Sequence, residues 1–260
     1  MLPAMAGGPH ETGREVVARE RDALAALHDR FPELQDEFDE AVQLIVACPG
    51  RVVVCGMGKS GLIGEKIART MVSTGTPASS LHPAEGFHGD VGLVTPRDVV
   101  LAISNSGRTR ELIELVPVMK NLGARVIALT GPSDSPLARA ADVVLAWGDV
   151  EEADATGLVP TVSAALTLAI GDALTIAAMA QRGFGPDQYA LFHPSGAIGN
   201  KLTLKVIDLL RGPHTNPIVR DDATFKEALE VVTSNTLGGV SIVDEGGRLV
   251  GLLTDGDVRR

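Results

Sequence analysis

Residues 99–107 read VVLAISNSG, a short apolar run that leads directly into two hydroxyl side chains, an amide and a glycine. A helix-periodic pattern then begins at Arg110. An uninterrupted apolar run is typical of a strand buried on both faces of a parallel sheet. Serines between such a strand and a helix present hydroxyl and backbone N–H donors to an anion, with the positive end of the helix dipole behind them. We therefore predict a phosphate cradle here, with the carboxylate of Glu111 beside it.

Short apolar runs and helical segments alternate on both sides of this stretch. The apolar runs are 52–55, 78–81, 99–103, 126–129 and 143–147. The helical segments lie around 61–73, 109–122, 134–141 and 161–182. This alternation predicts an α/β fold, a doubly wound parallel five-stranded sheet of the flavodoxin-like kind. Ligands of such sheets bind outside the carboxyl ends of the strands.

The segments on either side of the predicted sheet have different hydrophobic patterns and compositions. Residues 14–47 read as two amphipathic helices interrupted at Pro32, and residues 183–215 are rich in glycine and proline. Beyond them, residues 217–219, 224–234, 240–243 and 248–254 read as strand, helix, strand and strand, with Gly246 and Gly247 in a hairpin turn. We predict N-terminal helices packed on the sheet domain over 1–47, the sheet domain over 48–205, and a small α+β module over 206–260.

The composition is that of a globular protein and limits the classes of partner. The chain has 260 residues, of which 45% are hydrophobic and 22% charged, and a net charge of −10. This charge opposes binding to nucleic acid. We expect no membrane partner, because no apolar run reaches membrane-spanning length, and no signal peptide, because the N-terminus lacks a basic region. Two cysteines are too few for a disulfide framework, so we expect a cytoplasmic protein.

A glycine-rich turn, GMGKSG at 56–61, follows the first predicted strand. Its spacing matches a dinucleotide-binding motif, but that motif requires an acidic residue at the end of the next strand, where this chain has His82. A Walker phosphate loop also fails, since Val53 stands where a glycine is required. The remaining interpretation is a tight turn that places Lys59 at the carboxyl edge of the sheet. A packing turn with a solvated lysine is the alternative.

Two further loops at this edge carry titratable side chains. Residues 82–90, HPAEGFHGD, contain two histidines and two carboxylates, a spacing that could hold zinc, although no third ligand lies nearby in the sequence. Residues 148–154 contain four carboxylates, any of which could serve as a general base. Alternatively, these carboxylates form a solvated turn.

Taken together, these motifs resemble the sugar isomerase (SIS) domain, and within that family the D-arabinose 5-phosphate isomerases. The motifs that carry the resemblance occur in order along the chain: GMGKSG at 56–61, STGTP at 73–77, HPAE at 82–85, HGD at 88–90, SNSG at 104–107, GDAL at 171–174 and HP at 193–194. The C-terminal residues, ending GLLTDGDVR at 251–259, look like one CBS module of the tandem pair that this family carries.

The resemblance implies reversible conversion of D-ribulose 5-phosphate and D-arabinose 5-phosphate without a cofactor, in a homotetramer that supplies Kdo for lipopolysaccharide. It implies catalytic roles for Lys59, Glu111, Glu152 and His193. It implies that the substrate-binding residues are Gly75, Thr76, His82, His88, Ser104, Ser106 and Thr109. It also implies an inhibitory zinc ion at His82, not required for activity. We expect the CBS module either to bind a nucleotide or nucleotide-sugar effector or to be purely structural.

These residue types suit isomerisation through an enediol, which requires a base for the carbon proton, donors for the enediolate and a proton shuttle. We predict Glu152 as the base, with Glu111 as the alternative. Lys59 would stabilise the negative oxygen, and His193 or His88 would move protons. The hydroxyls of the SNSG turn and Thr109 would hold the phosphate.

Two other functions fit the same pattern. The first is isomerisation of a different sugar phosphate, since residues 161–165 read TVSAA where the family carries more hydroxyls, and Arg108 and Arg110 add positive charge. The second is a non-catalytic SIS sensor of sugar phosphate. The acidic N-terminal helices lack the basic recognition face that a DNA-binding sensor needs, which favours the enzyme.

Overall fold

The structure is a computed structural model that describes residues 8–192, 216–235 and 237–260. The chain divides into two compact units, Met1–Gly199 and Asn200–Arg260.

The first unit contains a sheet and the helices on its two faces. Its strands are β1 (Val52–Gly56), β2 (Ala78–Leu81), β3 (Val99–Ser104), β4 (Arg125–Thr130) and β5 (Val143–Ala146). Its helices are α1 (Pro9–Arg30), α2 (Gln35–Ala47), α3 (Gly58–Ser73), α4 (Pro83–Gly86), α5 (Arg110–Asn121), α6 (Pro136–Ala140), α7 (Val162–Gln181) and α8 (Pro186–Phe192). Two 3₁₀ segments cover Phe31–Leu34 and Asp90–Leu93.

All five strands are parallel, in the order β2-β1-β3-β4-β5. Gly56 at the end of β1 lies beside Ile103 of β3, and Ser104 lies beside Thr130 of β4. The carboxyl ends of neighbouring strands therefore reach the same edge, and the loops that follow them lie side by side. The predicted doubly wound parallel five-stranded sheet is confirmed.

The sheet separates two apolar cores because successive side chains of a strand point to opposite faces. Val52 and Val54 of β1 pack into the core formed with α1, α2, α3 and α7. Val53 and Cys55 pack into the core formed with α5 and α6. Apolar side chains at successive positions are thus buried on both faces, which explains why the strands read as continuous apolar runs.

Helix α7 corrects one sequence-based prediction. The helix has 20 residues, and the mean hydropathy reaches 1.7 within it, so by length and composition alone it could cross a membrane, contrary to our expectation that no run is long enough. Half of it is buried, and it packs against α1, α2 and α3. Its apolar character is explained by its position in the core, which is common for a central helix.

The second unit is a small α+β module. It comprises β6 (Ile218–Arg220), α9 (Phe225–Ser234), β7 (Gly239–Val243), β8 (Leu249–Thr254) and α10 (Asp255–Val258). Strand β7 pairs in parallel with β6 and antiparallel with β8. The turn between β7 and β8 closes with a hydrogen bond from the Asp244 N–H to the Arg248 carbonyl and contains the predicted glycine pair. Thr224 and Glu227 cap α9 reciprocally.

A buried carboxylate at the amino edge of the sheet offers a test of stability away from the site. Asp98 accepts hydrogen bonds from the Arg51 N–H and from the N–H and hydroxyl of Thr95, each at 2.8 Å. Burial raises the pKa of Asp98, but these donors outweigh burial and hold the pKa below its ordinary value. The ionised carboxylate is therefore the form that the fold stabilises.

Replacing Asp98 by asparagine is expected to lower the free energy of unfolding by about 1–3 kcal/mol at pH 7, because the amide would direct an N–H at a donor. A pKa lowered by folding stabilises the protein above the unfolded-state value of about 4, and this contribution is lost as the pH falls through the folded-state value. Urea unfolding of the two proteins between pH 7 and pH 3 checks this. The difference in free energy of unfolding between wild type and Asp98→Asn should become smaller below about pH 4. A difference that stays constant with pH would contradict this prediction.

Candidate active site

The turn between β1 and α3 brings a lysine to the carboxyl edge of the sheet. A Cβ atom on Gly61 would lie 2.5 Å from the carbonyl oxygen of Gly56, so only glycine allows the helix to start this close to the strand. This close approach places Lys59 in the first turn of α3, where its side chain is exposed. The predicted position of Lys59 follows directly from the packing of these two glycines.

Lys59 shares an open cleft with His82. The cleft has a volume of about 510 Å³, and Glu65 also lines it. His82 occupies the position before the first residue of α4, and His88 follows that short helix; both side chains are exposed. The ends of β1 and β2 thus bring a cation and an imidazole to one cavity.

The end of β3 forms the cradle, residues 104–109. The hydroxyls of Ser104 and Thr109 lie 2.7 Å apart, and the Ser106 hydroxyl accepts a hydrogen bond of 3.2 Å from the Arg108 N–H. Gly107 has a φ of 59°, and a Cβ atom there would collide with the hydroxyl of Ser135. Glycine is therefore required for the turn that brings the three hydroxyl residues together.

The start of α5 adds backbone donors to the cradle. The N–H groups of Leu112 and Ile113 donate to the carbonyl of Thr109. No residue in the described part of the chain accepts from the N–H groups of Arg110 and Glu111. Such N–H groups in the first turn of a helix attract anions. Hydroxyls and free N–H groups next to one another suit a phosphate.

The two candidate bases have different surroundings. Glu111 is partly exposed in the first turn of α5, and none of the described residues donates a hydrogen bond to its carboxylate. Glu152 is only 9% exposed. Its Oε2 accepts from the N–H of Thr161 at 2.8 Å, the hydroxyl of Thr161 at 3.1 Å and the N–H of Ser163 at 3.3 Å, and its Oε1 accepts from the Ser163 hydroxyl.

Glu152 therefore connects the loop after β5 to the start of α7. The N–H groups to which it binds belong to the residue before α7 and to the first turn of that helix. This capping role was not predicted from the sequence, because the partners of Glu152 lie nine and eleven residues further along the chain. The hydroxyls at 161 and 163 were the available signal, since serine and threonine favour helix starts.

Two predicted substrate-binding residues lie at the opposite edge of the sheet. Gly75 and Thr76 precede β2, and the carbonyl of the next residue, Pro77, accepts from the N–H of Val52 at the beginning of β1. Helix α3 returns the chain along the sheet, so within one chain these residues are separated from the cradle by the length of the strands. His193 lies outside the described residues.

The histidine loop, residues 82–90, has a spacing that predicted a zinc site. Within residues 8–192, 216–235 and 237–260, no group of three or more histidine, cysteine, aspartate or glutamate side chains could hold a metal ion. Catalytic zinc ordinarily has three protein ligands. His82 therefore offers one ligand, and the inhibitory zinc ion remains a prediction.

Each of the two units matches a known protein family. The SIS domain family matches residues 45–177, and the CBS domain family matches residues 206–260. The arabinose 5-phosphate isomerase KdsD of Escherichia coli strain K12 is 46% identical over 250 residues, covering 96% of this chain and 75% of that protein. KpsF of Escherichia coli O6:H1, also an arabinose 5-phosphate isomerase, is 44% identical over 247 residues, covering 95% and 74%.

A solved structure agrees with these relationships. The E. coli CFT073 protein c3406, in complex with arabinose 5-phosphate, has 36% sequence identity to this chain and a TM-score of 0.65, covering 70% of this chain and 95% of that chain. This chain therefore shares its fold with a protein that binds a sugar phosphate. The chain belongs to the SIS-domain family that includes the arabinose 5-phosphate isomerases KdsD and KpsF.

Proposed function

We propose that this chain catalyses the reversible isomerisation of D-ribulose 5-phosphate and D-arabinose 5-phosphate through an enediol. The observation that carries the proposal is the carboxyl edge of the sheet, where a hydroxyl and N–H cradle adjoins a partly exposed carboxylate and a cleft containing a lysine. The identity to KdsD and KpsF and the similarity to the arabinose 5-phosphate complex support this substrate.

The cradle binds the phosphate of the substrate. The hydroxyls of Ser104, Ser106 and Thr109 and the N–H groups of Arg110 and Glu111 provide donors from a single turn. The dipole of α5 adds positive potential at the same point. A phosphate held there limits the positions of the sugar carbons, so that C1 and C2 stay near the acid–base groups.

The base removes the proton from the carbon next to the carbonyl. The sequence favoured Glu152, but its hydrogen bonds from Thr161 and Ser163 count against that role, because they occupy the lone pairs of both carboxylate oxygens. Glu111 follows the cradle directly and accepts none of these bonds. We therefore assign the proton transfer at carbon to Glu111 and a supporting role to Glu152.

The remaining groups act on the oxygens. Lys59, exposed at the cleft, stabilises the negative oxygen of the enediolate. A histidine, either His88 or His193, moves the proton between the two oxygens. Isomerisation moves protons within one molecule and leaves its oxidation level unchanged, so the proposal includes no redox cofactor.

The proposal extends to the protein's surroundings. We propose a cytoplasmic homotetramer that supplies Kdo for lipopolysaccharide, with a nucleotide or nucleotide-sugar effector at the second unit. The exposed side of α7 supports association, since Ile176 is 54% exposed on a helix of high hydropathy. Association also offers a way for Gly75 and Thr76 of one protomer to approach the cradle of another.

An NMR assay in deuterated water tests the reaction. Purified protein incubated with D-ribulose 5-phosphate should form D-arabinose 5-phosphate with deuterium at C2, since the abstracted proton exchanges with solvent in the enediol. Ribulose without the phosphate is the matched control and should not react. Absence of both arabinose 5-phosphate and deuterium incorporation would overturn the proposal. If the protein isomerised only a different sugar phosphate, the substrate assignment would be wrong.

A further inference from the structure

Trp147 is the single tryptophan of the chain, and it lies directly after β5 at the edge that forms the site. Its side chain is buried, with 4% of the residue exposed. The indole Nε1 donates a hydrogen bond of 3.2 Å to Oδ1 of Asn105, the second residue of the cradle. A buried indole therefore contacts a polar side chain in the phosphate-binding turn.

This hydrogen bond determines which way the Asn105 amide faces. An indole N–H can only donate, so the oxygen of the amide must face Trp147 and the amino group must face away. No acceptor for the Nδ2 amino group is found among the described residues. Asn105 also lines an open cleft of about 320 Å³, together with Ser106 and Arg108. The amino group is available to a ligand at the cradle.

Backbone hydrogen bonds hold both partners of this pair. The Asn105 carbonyl accepts from the Gly131 N–H at 2.8 Å, and the Trp147 N–H donates to the Thr130 carbonyl at 3.2 Å. The guanidinium of Arg30, at the end of α1, donates to the Trp147 carbonyl at 2.9 Å. Because the main chain is fixed at both residues, the indole and the amide have a defined relative position.

We propose that Trp147 is a positioning residue that orients the Asn105 amide, so that its amino group donates a hydrogen bond to the sugar phosphate. The inference rests on the proposed function and adds one binding residue and its support to the site. It also connects two loops, because Trp147 begins the segment that carries Glu152. Occupation of the cradle should then change the surroundings of the indole.

Replacing Trp147 by phenylalanine tests the orientation, since this change keeps an aromatic ring and removes the N–H. We expect KM to rise about 5- to 10-fold, the equivalent of one hydrogen bond, with kcat within about twofold of wild type. Asn105→Asp keeps the acceptor for the indole but places negative charge towards the phosphate, so its KM should rise more. In Asn105→Ala, adding Trp147→Phe should raise KM no further.

Fluorescence of Trp147 provides a measurement that does not depend on turnover. Titration of the wild-type protein with inorganic phosphate should shift its emission, and Asn105→Ala should abolish the shift. A protein that shows this shift without isomerising ribulose 5-phosphate would contradict the proposed function but not the positioning role. An unchanged KM in Trp147→Phe, additive effects in the double variant, or unchanged wild-type emission would each overturn the positioning role.

Discussion

Replacing Glu111 by glutamine is expected to lower kcat by about 10²- to 10⁴-fold, the range that general acid–base groups contribute. The amide keeps the size of the side chain but cannot accept the carbon proton. The free energy of unfolding of Glu111→Gln should equal that of wild type, because the described residues donate no hydrogen bond to the Glu111 carboxylate. KM should change little, since the cradle donors are on the main chain and on other side chains. Steady-state kinetics with ribulose 5-phosphate and a thermal unfolding curve measure both effects.

Glu114→Gln is the matched control for this prediction. Glu114 lies one turn further along α5, is exposed and pairs with Arg110 at 2.6 Å. The same chemical change at this position should leave kcat within about twofold, because exposed ion pairs contribute little. If Glu111→Gln turned over at the wild-type rate, or exchanged deuterium at C2 at the wild-type rate, Glu111 would not be the base.

Replacing Glu152 by glutamine is expected to destabilise the protein by about 1–3 kcal/mol, because an amide N–H would then face the donors of Thr161 or Ser163. In a unit of this size each kcal/mol corresponds to about 2–4 °C in Tm. Activity should fall as well, since the loop between β5 and α7 loses its attachment to the helix. Differential scanning calorimetry and kinetics at a temperature where the variant is fully folded separate the two effects.

Glu151→Gln is the corresponding control, because the neighbouring Glu151 is exposed. It should unfold within about 0.5 kcal/mol of wild type, as ordinary surface substitutions do. The opposite pattern at Glu152, a kcat reduced about 100-fold with unchanged Tm, would agree with general-base catalysis and return that role to Glu152. Glu111→Gln and Glu152→Gln together therefore show which of the two carboxylates is the base.

The fold was largely predictable because its strands are buried on both faces. Each of the five apolar runs agrees with an observed strand within one residue at either end. Two short helices gave no such signal: α4, with four residues, and α8, with seven, were not predicted. An element of one or two turns has too few residues to show a period of 3.6, and tertiary contacts determine whether it forms.

Local sequence was also sufficient to place Lys59 and the cradle. Gly56 and Gly61 allow a close contact between strand and helix that a side chain would prevent, and Gly107 has a positive φ. Each of these glycines lies next to the functional group that it positions. The chemistry and the turn are thus encoded in the same few residues. The same reasoning predicted that the loops meet, since parallel strands end at one edge.

The strand segments and the glycine turns that follow them are determined by local patterns of hydrophobicity and glycine. Three properties of the site depend on tertiary packing instead. Glu152 caps helix α7, Gly75 lies at the edge of the sheet opposite the cradle, and Trp147 donates a hydrogen bond to Asn105. Trp147 and Asn105 are 42 positions apart. A hydrogen bond between side chains in loops that follow different strands requires the completed sheet to bring donor and acceptor together, and no residue near either partner in the sequence specifies it.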